Sequence, residues 1–244
     1  MKKQKQILLF AGKKRSGKDY LADMFIDRIN ASFVKVSFAR KLKQVLSEIT
    51  LLSVIEFDKV KNDDSTFVIN KDTFVKNWKL SVLKLSDTES ALLNTNKQRV
   101  IEIADGLNIF DTVKIISQNG NTVELNARNV IQNVGESFKT IFENRDIWAI
   151  LLAKDLLKIS KNFIISDFRY PEEYNVLTML LKSYEVTTVK IIGKNFHNEL
   201  SEEDFHISET AIDNIKFNYY LNNTIHDWTS VYEQLNALNN EILK

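Results

Sequence analysis

Two glycines and a lysine near the N-terminus have the types and spacing to hold a polyphosphate. They lie in Gly12-Lys-Lys-Arg-Ser-Gly17-Lys18-Asp19, after the apolar run Ile7 to Phe10 and before a helix-like pattern. A buried strand feeding such a loop lets backbone N–H groups wrap phosphate oxygens. Gly12 and Gly17 allow close approach and unusual dihedrals, and Lys18 can reach the β- and γ-phosphates. A helix starting near Lys18 points its positive end at the same anion. This is the layout of a P-loop with one departure. The full motif has Ser or Thr after the lysine, for Mg²⁺, and this chain has Asp19. A carboxylate there repels phosphate unless Mg²⁺ lies between, so Asp19 fits a metal contact as well as a helix N-terminal acid. A charged strand-to-helix turn would look similar, but the chain has only 6 glycines and two stand here at the required spacing.

A second cluster is Asp167-Phe-Arg169, at the end of the short apolar run Asn162 to Ser166. In open α/β sheets ligands bind beyond the carboxyl ends of strands. A carboxylate there, beside a phosphate loop, suits a second Mg²⁺ contact, and Arg169 suits the transferred phosphoryl. A lone Asp-x-Arg would otherwise be a loop ion pair. Arg128 and Arg145 are candidate anion clamps, because arginine binds phosphate bidentately and stays charged. Trp148 sits in an apolar helical run, where core packing competes with base stacking. His197, His206 and His226 have no metal-ligand spacing.

Certain elements must position these groups. Apolar periodicity predicts a strand at Ile7 to Phe10, a helix from Tyr20 to Asn30, a strand from Ser32 to Phe38 and a helix from Ala39 to Leu52. That order opens an α/β sheet. Residues 53–126 change character, with β-rich pieces at Thr66 to Ile69 and Thr73 to Val75 and a helix from Lys97 to Leu107. Asn119-Gly120 between Thr112 to Ser117 and Thr122 to Leu125 predicts a hairpin with positive φ at both central residues. Helical pattern returns from Ala127, and strands follow at Asn162 to Ser166 and Val186 to Ile192. Pro171, the only proline, opens a helix to Leu181. Lys194 to Glu209 reads as polar and irregular, Tyr219 to Leu221 as a last strand, and Trp228 to Leu243 as a last helix. The expected organisation is a core of residues 1–52 and 127–244 with 53–126 inserted.

Composition narrows the function classes. The 244 residues suffice for one large domain or one with an insertion. Hydrophobic content of 44% and charged content of 27% describe a globular chain. With 33 basic and 32 acidic residues there is no global field to draw nucleic acid. The absence of cysteine excludes disulfides, thiolate metal sites and thiol nucleophiles. No run approaches a membrane span, and the N-terminal apolar run is too short for a signal peptide. A cytoplasmic location is expected.

Together these blocks resemble the deoxynucleoside monophosphate kinases of tailed bacteriophages, within the P-loop nucleoside monophosphate kinase group. The shared blocks are Lys14-Arg-Ser-Gly-Lys-Asp19, Ser37-Phe-Ala-Arg-Lys-Leu-Lys43, Arg128-x-x-x-Gln132-x-x-Gly135 followed by Arg145 and Trp148, Ile165-Ser-Asp167-Phe-Arg169, and His206-Ile-Ser-Glu209. They occur in the family's order across most of the chain. Where the family has Thr after the loop aspartate, this chain has Tyr20, whose hydroxyl stands much farther from the backbone.

The resemblance implies a three-layer P-loop fold with a parallel sheet, and an α+β insertion forming the monophosphate-binding region. It implies transfer of the γ-phosphoryl of ATP to a deoxynucleoside 5′-monophosphate, with Mg²⁺, in the host cytoplasm if the chain is phage-encoded. On that basis Gly12, Lys14, Arg15, Ser16, Gly17, Lys18 and Tyr20 surround the ATP phosphates, and Asp19 and Asp167 organise the metal. Ser37, Lys43, Arg128, Gln132, Arg145 and Trp148 face the acceptor, with Arg128 and Arg169 on the reacting phosphates. The partners implied are ATP and the monophosphate, with neither nucleic acid nor membrane, and a homodimer is compatible. Rival expectations are a P-loop kinase of a non-nucleotide phosphomonoester and a non-catalytic nucleotide-binding module. A GTPase switch is disfavoured, because Asn96-Lys97 continues as Gln98-Arg99 rather than into Asn-Lys-x-Asp.

Overall fold

The computed structural model describes residues 4–13, 15–62, 65–193, 215–224 and 227–243. Strand β1 (Lys5–Ala11) leads through the glycine loop into α1 (Lys18–Met24), which widens into a π-helical turn over Phe25–Ile29. β2 (Phe33–Val36), α2 (Ala39–Thr50) and α3 (Val54–Asn62) follow. Next come β3 (Thr66–Asn70), α4 (Lys71–Leu93) and α5 (Lys97–Gly106). The strands β4 (Ile115–Asn119) and β5 (Thr122–Asn126) precede α6 (Ala127–Ile141) and α7 (Ile147–Leu157). β6 (Asn162–Ile165), α8 (Pro171–Leu180), β7 (Tyr184–Gly193), β8 (Tyr219–Asn223) and α9 (Trp228–Ile242) end the described chain. Lys14, the three histidines and the whole stretch Lys194 to Glu209, with its block His206 to Glu209, lie outside the described residues.

The chain forms two compact units, residues 1–38 with 152–244, and residues 39–151. The first is a mixed α/β unit around a five-stranded sheet of order β2-β6-β1-β7-β8, and every pairing in it is parallel. Ile7 to Ala11 of the central strand are fully buried. That is the pattern of a parallel strand covered on both faces, and it explains the unbroken apolar run. On one face Leu8, Phe10, Ile164, Val189 and Leu221 pack with Leu21 and Phe25 of the α1 region and Leu235 and Leu238 of α9. The alternate residues Ile7, Leu9, Phe163 and Ile165 are buried too, and α8 packs on β7. The path from β1 leads toward β2 on one side, and the path from β7 leads to β8 on the other. The strand order therefore switches between the neighbours β1 and β7, and crevices at such points are where open α/β sheets bind ligands.

The second unit has its own core, built on Phe74, Trp78, Val130, Val134, Phe138 and Phe142, beside an antiparallel sheet of order β3-β5-β4. It is wider than the expected 53–126, because α2 contributes Leu46 and Ile49 and α6 contributes Val130 to Ile141 to this core. The β-rich piece expected at Thr73 to Val75 is instead the first turn of the 23-residue α4. The Asn70 side chain accepts the Thr73 N–H and starts that helix, and its face Phe74, Trp78, Val82, Leu85 is buried. α3 has no counterpart in the sequence expectation. The hairpin is present, but Asn119 pairs with Thr122, so Gly120 and Asn121 form the turn. Only Gly120 (φ 58°) has positive φ there, the II′ pattern rather than I′. No helix among the described residues is long and apolar enough to cross a membrane.

Candidate functional site

The loop between β1 and α1 reverses its backbone hand twice. Arg15 has φ 65° and Gly17 has φ 89°, while Ser16 between them does not have positive φ. Such alternation turns successive N–H groups to one side and makes an anion-binding concavity. Three glycines allow the loop to seat. A Cβ on Gly12 would stand 2.6 Å from the Ile191 carbonyl oxygen of β7 and 2.6 Å from Ser16 Oγ. One on Gly193, at the end of β7, would stand 2.5 Å from Ser16 Cα, and one on Gly17 would stand 2.5 Å from Asn223 Nδ2. The loop is thus pressed into the carboxyl ends of β7 and β8. Asn223, buried at the end of β8, donates from Nδ2 to the Ser16 carbonyl at 3.0 Å and pins it.

Two polar groups in the loop suit an anion. Ser16 is 4% exposed, and its Oγ is buried with no hydrogen-bond partner among the described residues. An orphaned buried hydroxyl costs free energy unless a ligand meets it. The Lys18 side chain folds over the loop, with Nζ donating to the Gly12 carbonyl at 2.6 Å and the Lys13 carbonyl at 2.9 Å. Its ammonium therefore lies against the loop backbone. Glycine clearance, orphan hydroxyl and lysine together fit a phosphate group.

One carboxylate stands in the first turn of α1 and the other just past the end of β6. Asp19 follows Lys18 in the first turn of α1, and Ser166 Oγ donates to its Oδ1 at 2.7 Å. Lys35 of β2 pairs closely with Asp23 (2.6 Å) and reaches Asp19 at 4.0 Å. The Asp19 side chain is 77% exposed. Asp167 follows Ser166, and its Oδ1 accepts the Phe38 N–H at 2.9 Å, joining the ends of β6 and β2. Among the described residues no three His, Asp or Glu side chains gather as a metal cage. The oxygens of Asp19, Ser166 and Asp167 fit the habit of Mg²⁺, which takes one or two carboxylates and completes its shell with phosphate and water.

Glu173 backs this edge. Its Oε2 accepts the N–H groups of Arg169 (2.8 Å) and Tyr170 (3.1 Å), shaping the turn that carries Arg169 into α8. Burial pushes Glu173 up to about 8 against the pull of the Arg169 N–H, and the Asp167 carboxylate pushes the same way as burial. The sequence alone does not nominate Gly193, Asn223 or Glu173, and Ser166 enters only as part of the block Ile165 to Arg169. Only Glu173 left a local signal, a glutamate at the third position of a helix opened by proline.

The remaining nominated residues divide between the units. Ser37 is half-buried in the first, between β2 and α2. In the second, Lys43 of α2 is held by Asp58 of α3 at 2.9 Å. Arg128 is half-buried in the first turn of α6, Gln132 is exposed one turn on, and Arg145 is exposed just before α7. Trp148 is core: it packs on Phe138 at 5.6 Å, and its Nε1 donates to the Gly135 carbonyl at 3.3 Å. Gly135 also makes room for Leu42 of α2, since a Cβ there would stand 3.0 Å from Leu42 Cδ2.

No protein-family model matches the chain, and no curated protein matches it.

Proposed function

We propose that the chain is a P-loop phosphotransferase that moves the γ-phosphoryl of ATP to a deoxynucleoside 5′-monophosphate. The observation that carries this is the loop between Gly12 and Lys18, with its alternating hand, its glycine contacts to β7 and β8, and the buried Ser16 hydroxyl that has no partner among the described residues. The acceptor assignment rests on the sequence blocks that include Ser166 to Arg169 and Arg128 to Trp148.

In this reading Lys18 leaves the Gly12 and Lys13 carbonyls to hold the β- and γ-phosphates. Loop N–H groups and Ser16 take further phosphate oxygens. Asp19 and Asp167 would hold Mg²⁺, which would supply charge neutralisation at the phosphates, and Ser166 keeps Asp19 in place. An acceptor phosphate oxygen forms the new bond to the γ-phosphorus, while the bond to the β–γ bridging oxygen breaks and ADP leaves. No general base is needed, because the acceptor's second pKa is about 6 and its oxygen is already largely ionised near neutral pH. Positioning and charge neutralisation supply the rate. Arg169 is assigned to the phosphoryl in flight, and Arg128 to the acceptor phosphate.

ADP release from ATP and Mg²⁺, with each deoxy- and ribonucleoside monophosphate and an ATP-only blank, tests the proposal. Acceptor-dependent release that disappears in Lys18→Ala is the expected result. Release driven only by a non-nucleotide phosphomonoester would assign another acceptor, and nucleotide binding without release would make the chain a binding module.

A further inference from the structure

Two large aromatic side chains lie exposed on the first unit beside the loop. Tyr20, two residues after Lys18, is 49% exposed, and Trp228, at the start of α9, is 57% exposed. Their rings meet edge to face, with centroids 5.8 Å apart. They form the rim of a cavity of about 140 Å³ that also takes in Met24, Asn223, Asp227 and Val231. Asn223 links this cavity to the loop, because its Nδ2 holds the Ser16 carbonyl. A floor that includes Met24 and Val231, with aromatic rims and a link through Asn223 to the glycine loop, suits a flat heteroaromatic ring carried on a phosphate chain.

Asn223 and Asp227, beside the cavity, already have work. Asn223 Nδ2 is spent on the loop. The Asp227 carboxylate caps α9, accepting the N–H groups of Thr229 (3.1 Å) and Ser230 (3.3 Å). The largest surfaces these residues offer a base are therefore the Tyr20 and Trp228 rings, and every base has a π-face. We propose that the Tyr20–Trp228 cavity holds the base of the loop-bound nucleoside triphosphate by stacking, with little selection among bases. This rests on the nucleotide assignment of the loop. It also gives Tyr20 a task for its ring, where a short hydroxyl side chain would offer only a phosphate contact.

The test is calorimetric binding of ATP, GTP, CTP, UTP and inorganic tripolyphosphate to the full chain and to Trp228→Leu, Tyr20→Thr and Lys18→Ala. The four nucleotides should bind within about tenfold of one another, and Trp228→Leu should weaken each by about tenfold while leaving tripolyphosphate unchanged. Tyr20→Thr should weaken the nucleotides in the same selective way, and it reads the cavity even if Trp228→Leu does not fold. Trp78 and Trp148 are buried, so a stacked base should quench emission from Trp228, and tripolyphosphate should not. Nucleotide affinities unchanged in the folded variants, or one base favoured by about a hundredfold, would overturn the stacking proposal while tripolyphosphate binding kept the loop assignment standing. Tripolyphosphate and nucleotides both failing to bind, or binding equally to Lys18→Ala, would overturn the loop assignment and this proposal together.

Discussion

Ser166 Oγ donates a 2.7 Å hydrogen bond to Asp19 Oδ1, tying the carboxyl end of β6 to the first turn of α1. The two residues are 147 apart in sequence. In a standard P-loop the hydroxyl after the lysine is part of the chain's own helix. In this chain the residue after Lys18 is the carboxylate Asp19, and Ser166, just past β6, brings a hydroxyl against it. Asp19 is thereby oriented by a buried partner although its side chain faces solvent.

Ser166→Ala removes that orientation and little else. Water can take the place of the lost donor at an exposed carboxylate, so the stability cost should be about 1 kcal/mol or less. The Mg²⁺ concentration for half-maximal turnover should rise about tenfold, as when an outer-shell partner of a metal ligand is lost. A Mg²⁺ titration of turnover checks this, and an unchanged midpoint would remove Ser166 from the site.

Gly193→Ala places a methyl 2.5 Å from Ser16 Cα, a backbone atom that cannot swing aside. The loop must shift, so the variant should lose about 1–3 kcal/mol and bind nucleotide more weakly. Gly106 has nothing within 4 Å of its added Cβ, and Gly106→Ala should change stability by no more than about 0.5 kcal/mol. Urea unfolding of both compares them directly. Equal stability of the two would mean that the loop does not seat on β7 in this way.

Glu173 makes stability depend on pH in a direction opposite to an ordinary paired carboxylate. Its pKa is raised from 4.5 to about 8, chiefly by burial, so between those values the folded protein holds a proton that the unfolded chain releases. Its contribution is full below the unfolded value and is lost as pH rises through about 8. Glu173→Gln keeps an oxygen for the Arg169 and Tyr170 N–H groups and cannot ionise. Unfolding followed across this range in metal-free buffer should show wild type losing stability relative to Glu173→Gln with rising pH. Parallel curves would show that Glu173 titrates normally.

The order of strand, glycine loop and helix from Lys5 to Met24 was legible because its signal is local: glycine spacing, and an apolar run that only a doubly covered strand requires. Asp167 was legible for the same reason, standing at the end of a short apolar run. The partners that fix these groups were not, since Asn223 reaches Ser16 across 207 positions and Gly193 matters only because Ser16 lies against it. α4 was misread at Thr73-Phe-Val, where β-branched residues outweighed the longer helical period through Phe74, Trp78, Val82 and Leu85. The insertion boundary moved outward because amphipathic helices such as α2 and α6 do not declare which core they cover.

Phosphorus NMR of ATP, Mg²⁺ and a deoxynucleoside monophosphate mixed with the protein tests the central claim most directly. If the chain is this phosphotransferase, the γ-phosphoryl signal of ATP decays as the β-phosphoryl signals of ADP and the deoxynucleoside diphosphate grow together, and Lys18→Ala, folded as the wild type is, slows this by several orders of magnitude. Persistence of the ATP signal with every nucleoside monophosphate, or growth of inorganic phosphate in place of the second diphosphate, would contradict it.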